Sequence, residues 1–361
     1  MRSIRVQLAL VVVLVAVVGA FLHPLALLLA AAPFETRGLI RFLEEVRSVI
    51  ADALGWGLLT LLAVMVYFVI RGRLTRKRGV SLVSTGEVGR SPGVSGRSRA
   101  VVAITAYDDA ATTAEAVWQF LQQPRVAKVL VIDNNSTDGT ATLAAAAGAQ
   151  VINEPRQGYG FACIRGLAEG LNVTEADIIV LTEGDGTFFA EDLSKFMAYV
   201  GNADLVVGNR VVRGLVDSDS QMDYFFTWGN MAVAMLLRMR FWDGRHLGPA
   251  GLMDVGCTYR AIRRQALERI LPDLVVGGNH FSPHMLLVAI ARGLSVVEIP
   301  IRFRRRVGPS KGASQSLWKG LQVGLVMIWH IMTFRLKPLA PIPVTDEKRA
   351  APVGRDLPLQ S

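Results

Sequence analysis

Apolar positions in this chain fall into two arrangements: two long uncharged runs near the start, then short runs alternating with helix-like segments. The first long run, Leu8 to Leu22, carries no charge, and its apolar character continues past His23 and Pro24 to Ala32. The second, Ala53 to Ile70, is 18 uncharged residues, mostly Leu, Val, Ala and Gly. Each is about long enough to cross roughly 30 Å of hydrocarbon. The nine Leu, Val, Ile and Phe residues between Leu58 and Ile70 favour insertion by about 3 to 5 kcal/mol. Residues 1–70 are therefore expected to form two transmembrane helices joined by a short extracytoplasmic loop. The alternative for the first run is a cleaved signal peptide, because Ala30, Ala31 and Ala32 resemble a small-residue processing site. RGRLTRKR follows Ile70 directly, with five positive charges in eight residues and no acid before Glu87. By the positive-inside rule that end faces the cytoplasm. No comparable stretch occurs before residue 315, so a multi-pass plasma-membrane protein with a cytoplasmic domain is expected.

Residues 71–99 are rich in Ser, Gly and Arg without periodicity and read as a basic flexible linker. From residue 100 the pattern shortens. Strand-like runs lie near 101–105, 128–132, 149–152, 177–182 and 204–207, with helical patterns at about 111–122, 138–147, 160–170 and 190–200. Such alternation predicts an α/β fold with a mainly parallel sheet and helices on both faces. After residue 208 the pattern changes. Residues 221–241 are apolar and Met-rich, and read either as a helix at the membrane interface, anchored by Trp228 and Trp242, or as a core helix. A helix at 279–292 and a strand at 295–301 follow. Residues 315–334, with Trp318, Lys319 and Trp329, are long enough either to lie in the interface or to span. Beyond Pro338 the chain is Pro-rich with mixed charge, which predicts a disordered tail.

The net charge of +9 and mean hydropathy of +0.36 follow from this layout. The basic excess clusters beside the second apolar run, which favours an anionic membrane surface over RNA or DNA as partner. Cys163 and Cys257 are the only cysteines. In a reducing compartment they read as small buried apolar residues, and no Cys or His spacing suggests zinc.

The candidate chemistry lies at the ends of the short runs. ADIIVLTEGDGTF (176–188) delivers Glu183 and Asp185 at the end of an apolar run, with Gly184 and Gly186 permitting close backbone approach. In open α/β sheets ligands bind beyond the carboxyl ends of the strands. Two acids there suit a divalent cation held against a phosphorylated ligand; the alternative is an ordinary acidic turn. VAKVLVIDNNSTDGT (126–140) repeats the design with Asp133, Asn134, Asn135, Ser136 and Asp138. AVVAITAY (100–107) ends in Asp108 and Asp109. Three acid-tipped runs suggest one polar crevice along a sheet edge.

Taken in order, a strand ending in Asp plus STDGT, a Gly-rich helix start with Arg, an acid-x-acid after a strand, and a distal Arg-x-Gly-x-Ser-Lys-type loop resemble family 2 glycosyltransferases. The nearest branch is the polyprenyl-phosphate sugar synthases of the dolichol-phosphate mannose synthase type, over roughly residues 100–312. The resemblance implies a GT-A fold, a nucleotide-sugar donor and a divalent metal, Mg²⁺ or Mn²⁺, at Glu183 and Asp185. It implies nucleoside contacts at Asp133, with Asn135 beside it, and at the first loop, Ala106, Tyr107 and Asp108. Gly184 would approach the donor within the acid turn. Glu183 departs from the usual Asp by one methylene, and Asn134 stands where a second Asp is common. GYGFACIRG (158–166) matches the Gly-rich helix start, where free N–H groups favour an anion and Arg165 adds a charged donor. The alternative is a solvated helix arginine. Arg210 in VVGNR matches a recurring arginine, and Asp254 in MDVGCTYR an acceptor-side acid. In FRRRVGPSKG (303–312), Arg306, Ser310 and Lys311 match a phosphate-handling loop. Arg302, Arg304 and Arg305 read as a basic face toward lipid headgroups. His280 and His284 read as structural, with His284 the one that could line the site.

The function so implied is inverting transfer of a sugar from a UDP- or GDP-sugar to a membrane polyprenyl or dolichyl phosphate, with Asp185, Asp254, Arg306 and Lys311 nearest the chemistry. One rival is a non-processive enzyme acting on a lipid-linked saccharide; the Gln-x-x-Arg-Trp signature of processive synthases is absent from the sequence. A second rival is a catalytically silent, membrane-anchored nucleotide-sugar binding protein.

Overall fold

A computed structural model of the chain describes residues 98–241, 251–308 and 315–336. The two expected transmembrane helices, nearly all of the linker, Trp242, Ser310, Lys311 and the tail lie outside the described residues.

Seven strands form one sheet: β1 (Ala100–Ala106), β2 (Val126–Asp133), β3 (Gln150–Asn153), β4 (Ile178–Glu183), β5 (Leu205–Asn209), β6 (Arg260–Arg263) and β7 (Val296–Pro300), in the order β3-β2-β1-β4-β6-β5-β7. All pairings are parallel except those of β6, which runs antiparallel to β4 and β5. The mostly parallel sheet fits the GT-A-like arrangement that the resemblance implies. Every residue of β1 is buried, as expected for a central strand covered on both faces. Alternate residues point to opposite faces. Helix α3 (Tyr159–Leu171) lies over the face of Ala103, Ile132 and Leu181, the side chains that a Cβ at Gly166 would meet. Helix α1 (Ala110–Leu121) lies over that of Ile104, beside Thr113.

The other helices are α2 (Thr140–Ala146), α4 (Leu193–Tyr199), α5 (Tyr224–Arg240), α6 (Arg264–Ile270), α7 (Phe281–Ala291) and α8 (Leu317–Thr333). Helix α7 is buried from Phe281 to Ile290, consistent with an apolar sequence on all sides. Helix α5 starts where the Asp223 carboxylate accepts from Phe226 N at 2.9 Å, and α8 where Ser316 Oγ accepts from Lys319 N at 3.1 Å. Helix α8 packs against α5 and α7. At 17 residues it is only about 26 Å long. No helix among the described residues is long and apolar enough to cross a membrane, so the spanning alternative for 315–334 is not supported. Cys163 and Cys257 are free and buried, as expected.

Strand β6 had no counterpart among the expected elements. RAIR is short, carries two arginines and lacks an apolar run, yet all four residues are buried. The cause is tertiary. Arg260 donates to three backbone carbonyls, so its charge is met without water, and Arg263 Nε donates to Val200 O at 2.7 Å while its Nη2 has no partner among the described residues.

The glycines of 158–160 serve packing. A Cβ on Gly160 would stand 2.1 Å from Val276 O, and Gly160 N donates to Gly277 O at 2.8 Å. The Gly160→Ala variant should therefore lose about 2 kcal/mol or more of stability through forced displacement of the 276–277 backbone. Gly201→Ala, where a Cβ meets nothing within 4 Å, should change stability by about 0.5 kcal/mol or less. Urea midpoints of the two variants check this.

Candidate active site

The strand ends converge because their register is aligned. Thr105 of β1 pairs with Glu183 of β4, Ala106 of β1 with Asp133 of β2, and Asp133 with Asn153 of β3. The loops beyond them are stitched together: Gly184 N donates to Thr105 O at 2.9 Å, and Asn134 N to Ala106 O at 3.0 Å. Because β6 is antiparallel to β4, the segment entering β6 arrives at this same edge, bringing Thr258 to Glu183 and Asp254 to Arg210.

A cavity of about 610 Å³ opens here. It is lined by Asp109, Glu183, Asp185, Arg210 and Arg306, with Ala106, Tyr107 and Asn134. Its apolar lining is Phe225, Phe226 and Val233 of α5 and Leu321, Met327 and Ile328 of α8.

Asp185 is buried. Its Oδ1 accepts from Thr187 N at 3.1 Å and Thr187 Oγ1 at 2.6 Å; its Oδ2 accepts from Arg306 Nη1 at 3.0 Å. Arg306 Nη2 also reaches Asp109 Oδ1 at 2.7 Å. Glu183 Oε1 accepts from Thr258 Oγ1, whose oxygen also meets the hydroxyl of Tyr159; Tyr159 in turn pairs with Ser282 Oγ at 3.1 Å. Burial, and then the neighbouring charge of Asp185, push the Glu183 carboxyl up to about 7. The turn Glu183-Gly184-Asp185 thus holds a carboxylate hydrogen-bonded by its own loop and by Arg306 beside one whose ionisation is disfavoured.

Arg210 and Asp254 form a bidentate pair, Nε–Oδ2 at 2.8 Å and Nη2–Oδ1 at 3.0 Å, with Asp254 wholly buried. Burial opposes the charge of Asp254, but the guanidinium overrides it and holds the carboxyl below its usual range. Glu298 supports this pair from β7, accepting from Met253 N at 2.9 Å, Asp254 N at 2.7 Å and Asn209 Nδ2 at 2.6 Å. Burial raises the Glu298 carboxyl to about 7.

Of the residues expected at the site, Ala106, Tyr107, Glu183, Asp185, Arg210 and Arg306 line the cavity. Asp254 reaches it only through Arg210. Asp133 lies just behind the lining, buried, with Oδ1 lacking any partner among the described residues. Asp108, with φ 48°, spends its carboxylate on Thr137 N at 2.6 Å, and Asn135, with φ 65°, donates to Pro155 O at 3.0 Å. Both brace loops. Gly184 spends its carbonyl on Thr112 Oγ1 at 2.7 Å. At the helix start of 158–166, Gly158 and Tyr159 line the cavity, Gly158 N donates to Asn134 Oδ1 at 2.8 Å and Gly160 N to Gly277 O at 2.8 Å, while Arg165, outside the lining, pairs with Glu169 at 2.9 Å. Arg302 pairs with Asp192 at 3.0 Å, and Arg304 stacks on Phe189, so these two are not a free basic face. His284 is structural, its Nδ1 2.9 Å from His330 Nε2 and its Nε2 3.0 Å from Asp273 O.

Sequence reasoning passed over Asp109 in favour of Asp108, and missed Thr258, Tyr159 and Glu298. The acid doublet at 108–109 was the only signal for Asp109. Thr258, Tyr159 and Glu298 gave none, because their partners lie 44 or more residues away.

A divalent cation can be tested against these residues. No group of three or more His, Cys, Asp or Glu among the described residues could hold a metal ion by itself. Mg²⁺ at phosphate-transfer sites takes one or two carboxylates and completes its shell with substrate phosphates and water. Glu183 and Asp185, with Asp109 near, give an excess of negative charge over Arg306 and fit that mode.

Residues 101–271 match the family described as glycosyl transferase family 2. The chain is 33% identical over 208 residues to an uncharacterized glycosyltransferase of Mycobacterium tuberculosis, covering 57% of this chain and 86% of that protein. It is 31% identical over 199 residues to the polyprenol monophosphomannose synthase of Mycolicibacterium smegmatis, covering 52% and 71%. It is 30% identical over 193 residues to the undecaprenyl-phosphate mannosyltransferase of Micrococcus luteus, covering 51% and 74%.

Two predictions follow from the buried pair and its support. Arg210→Ala and Asp254→Ala should each lose about 3 to 5 kcal/mol, because each leaves a buried unpaired charge; the double variant should lose less than the sum. A double-mutant cycle in urea measures this. A Glu298 carboxyl raised from 4.5 to about 7 in the folded chain contributes stability present below pH 4.5 that is lost as pH rises through 7. Glu298→Gln should therefore flatten the fall in Tm between pH 5 and 8, although it loses the bond from Asn209.

Proposed function

The chain belongs to glycosyl transferase family 2 and is a glycosyltransferase, and from that premise we propose that it moves a sugar from a nucleoside diphosphate sugar to a membrane polyprenyl phosphate. The observation that carries this reading is one continuous cavity lined by carboxylates and arginines and also by apolar side chains of α5 and α8. A charged donor and an isoprenoid acceptor need such unlike surroundings within one site. The relatives named as polyprenol monophosphomannose synthase and undecaprenyl-phosphate mannosyltransferase support the acceptor class.

In this reading the bond between the sugar's anomeric carbon and the diphosphate oxygen breaks. A lipid-phosphate oxygen forms the new bond from the opposite face, and the nucleoside diphosphate leaves with the electron pair. The lipid phosphate is already anionic at neutral pH, so no base must take a proton. Asp133, with its unpartnered buried Oδ1, suits the imide N–H of a base lying against Ala106 and Tyr107. A divalent cation held by Asp185 and Glu183 would, when bound, neutralise charge building on the leaving diphosphate. Arg306 lines the cavity and would orient phosphate oxygens, and Ser310 and Lys311, outside the described residues, are proposed to share that task. Asp254 acts as an orienting acid through Arg210, which it holds bidentately.

Exposed aromatic residues support a membrane location: Tyr224, Phe225 and Trp228 on α5, and Trp318 and Trp329 on α8. Such side chains suit the headgroup level, where one end is apolar and the other wet. The acceptor's chain would pass between these helices while its phosphate meets the acids.

The test uses the full-length protein in membranes with labelled UDP- and GDP-sugars and polyprenyl phosphate. Label should enter an organic-extractable, mild-acid-labile lipid, and Asp185→Ala should lower the rate by about 10³-fold, roughly 4 kcal/mol. Gly324→Leu, on the cavity side of α8 where a Cβ meets nothing within 4 Å, should raise the lipid KM and leave nucleotide affinity unchanged. Label found only in acid-stable glycolipid favours a lipid-linked saccharide acceptor. No labelled lipid with any donor overturns the proposal.

A further inference from the structure

Two arginines face the acids, and they are held differently. Arg210 is committed to Asp254, a partner wholly buried and outside the cavity lining. Arg306 is held by two acids that both line the cavity, Asp185 and Asp109, and its Nε is buried with no partner among the described residues. Its side chain is 12% exposed. Asp185 Oδ1 is already engaged by Thr187, so Arg306 covers the other oxygen. Glu183 has one oxygen engaged by Thr258.

A doubly charged cation placed on these carboxylates meets the guanidinium at Asp185 Oδ2. The two are like charges seeking the same oxygen, in a buried setting where screening is weak. The backbone leaves room for an exchange. The chain is tied to the acid turn by Arg304 N donating to Thr187 O at 3.0 Å, and two residues beyond Arg306 it turns through Gly308 at φ 84°. A displaced arginine needs a new anion, and a diphosphate supplies one that accepts both Nη groups and the unpartnered Nε.

Resting on the metal-dependent reading above, we propose that Arg306 is a resident counter-cation that closes the metal position in the donor-free enzyme. It exchanges from Asp185 and Asp109 to the diphosphate as nucleotide and metal arrive. Metal alone binds weakly because it must displace Arg306 without offering it a partner. Nucleotide and metal then bind with positive coupling, and this side chain adds to the part that comes from the diphosphate ligating the metal directly.

The experiment measures Mn²⁺ binding by the electron paramagnetic resonance signal of the free ion. It uses the full-length protein with and without UDP or GDP, for wild type, Arg306→Gln and Arg306→Lys, with circular dichroism to verify the fold. In wild type, nucleotide should tighten Mn²⁺ binding within the range of about 5- to 150-fold typical of site coupling. Arg306→Gln should bind Mn²⁺ alone about tenfold more tightly than wild type, and the nucleotide's effect should shrink by a similar factor. Arg306→Lys, which keeps the charge but loses the fork to two acids, should fall between them. If wild type takes up Mn²⁺ with nucleotide but neither variant gains affinity for Mn²⁺ alone, the exchange is wrong and the metal reading stands. If no form takes up Mn²⁺ under any condition, the metal reading fails and this proposal falls with it.

Discussion

The guanidinium of Arg260 fixes the geometry on which the site depends. It is among the largest fully buried side chains, and it meets no carboxylate among the described residues; instead it donates to Cys257 O at 2.8 Å, Ser282 O at 2.7 Å and Val255 O at 3.1 Å. These bonds hold the segment that enters β6 in a fixed path across the edge of the sheet and tie it to the first turn of α7. A buried cation is costly unless its donors are satisfied, so the carbonyl positions are strongly constrained. From that path Thr258 reaches Glu183 and Asp254 reaches Arg210. The antiparallel direction of β6 completes the logic, because only a reversed strand can bring its entry end to the exit ends of β4 and β5.

The departure at Glu183 gains a physical account from this path. A Glu side chain is one methylene longer than Asp, and it reaches across to the Thr258 hydroxyl, itself backed by Tyr159 and Ser282. The two acids of the turn are thus held from opposite sides, Asp185 by its own loop and Arg306, Glu183 by β6 and α3. Such buried carboxylates, one with its ionisation disfavoured, store an affinity for positive charge that a solvated acidic turn would lack.

The two helices beyond the sheet have faces that neither a core helix nor a solvated helix would carry. Helix α5 buries Val233, Ala234 and Leu237 but exposes Tyr224 and Trp228; α8 buries Ile331 and Met332 but exposes Leu317 and Trp318. Helix α8 is pinned at its far end by the ring contacts of His330 with His280 and His284. Their imidazoles are kept toward the neutral form by burial, which suits a packed seam between α7 and α8. The apolar lining of the cavity therefore has a firm support.

Much of the scaffold was legible in the residues. The runs at 100–106, 126–133 and 178–183 are apolar enough to require a covered sheet, and each ends in an acid or its neighbour, so a polar crevice at one edge follows from local pattern. The apolar faces of 221–241 and 315–334 and the buried character of both cysteines were likewise local. The partners were not. Asp109 and Arg306 are 197 positions apart, and Glu183 and Thr258 are 75 apart. Asp108 and Asp109 look alike in sequence, but a left-handed turn sends one carboxylate to Thr137 and the other to the cavity. Glycines at 158 and 160 look in sequence like a helix start open to a ligand, and only the packed chain shows that the 276–277 backbone also approaches them closely. Periodicity reports which residues are buried, since burial depends on local alternation. Which charge meets which depends on strand direction, register and the closeness of remote backbone, and those exist only once the chain has packed.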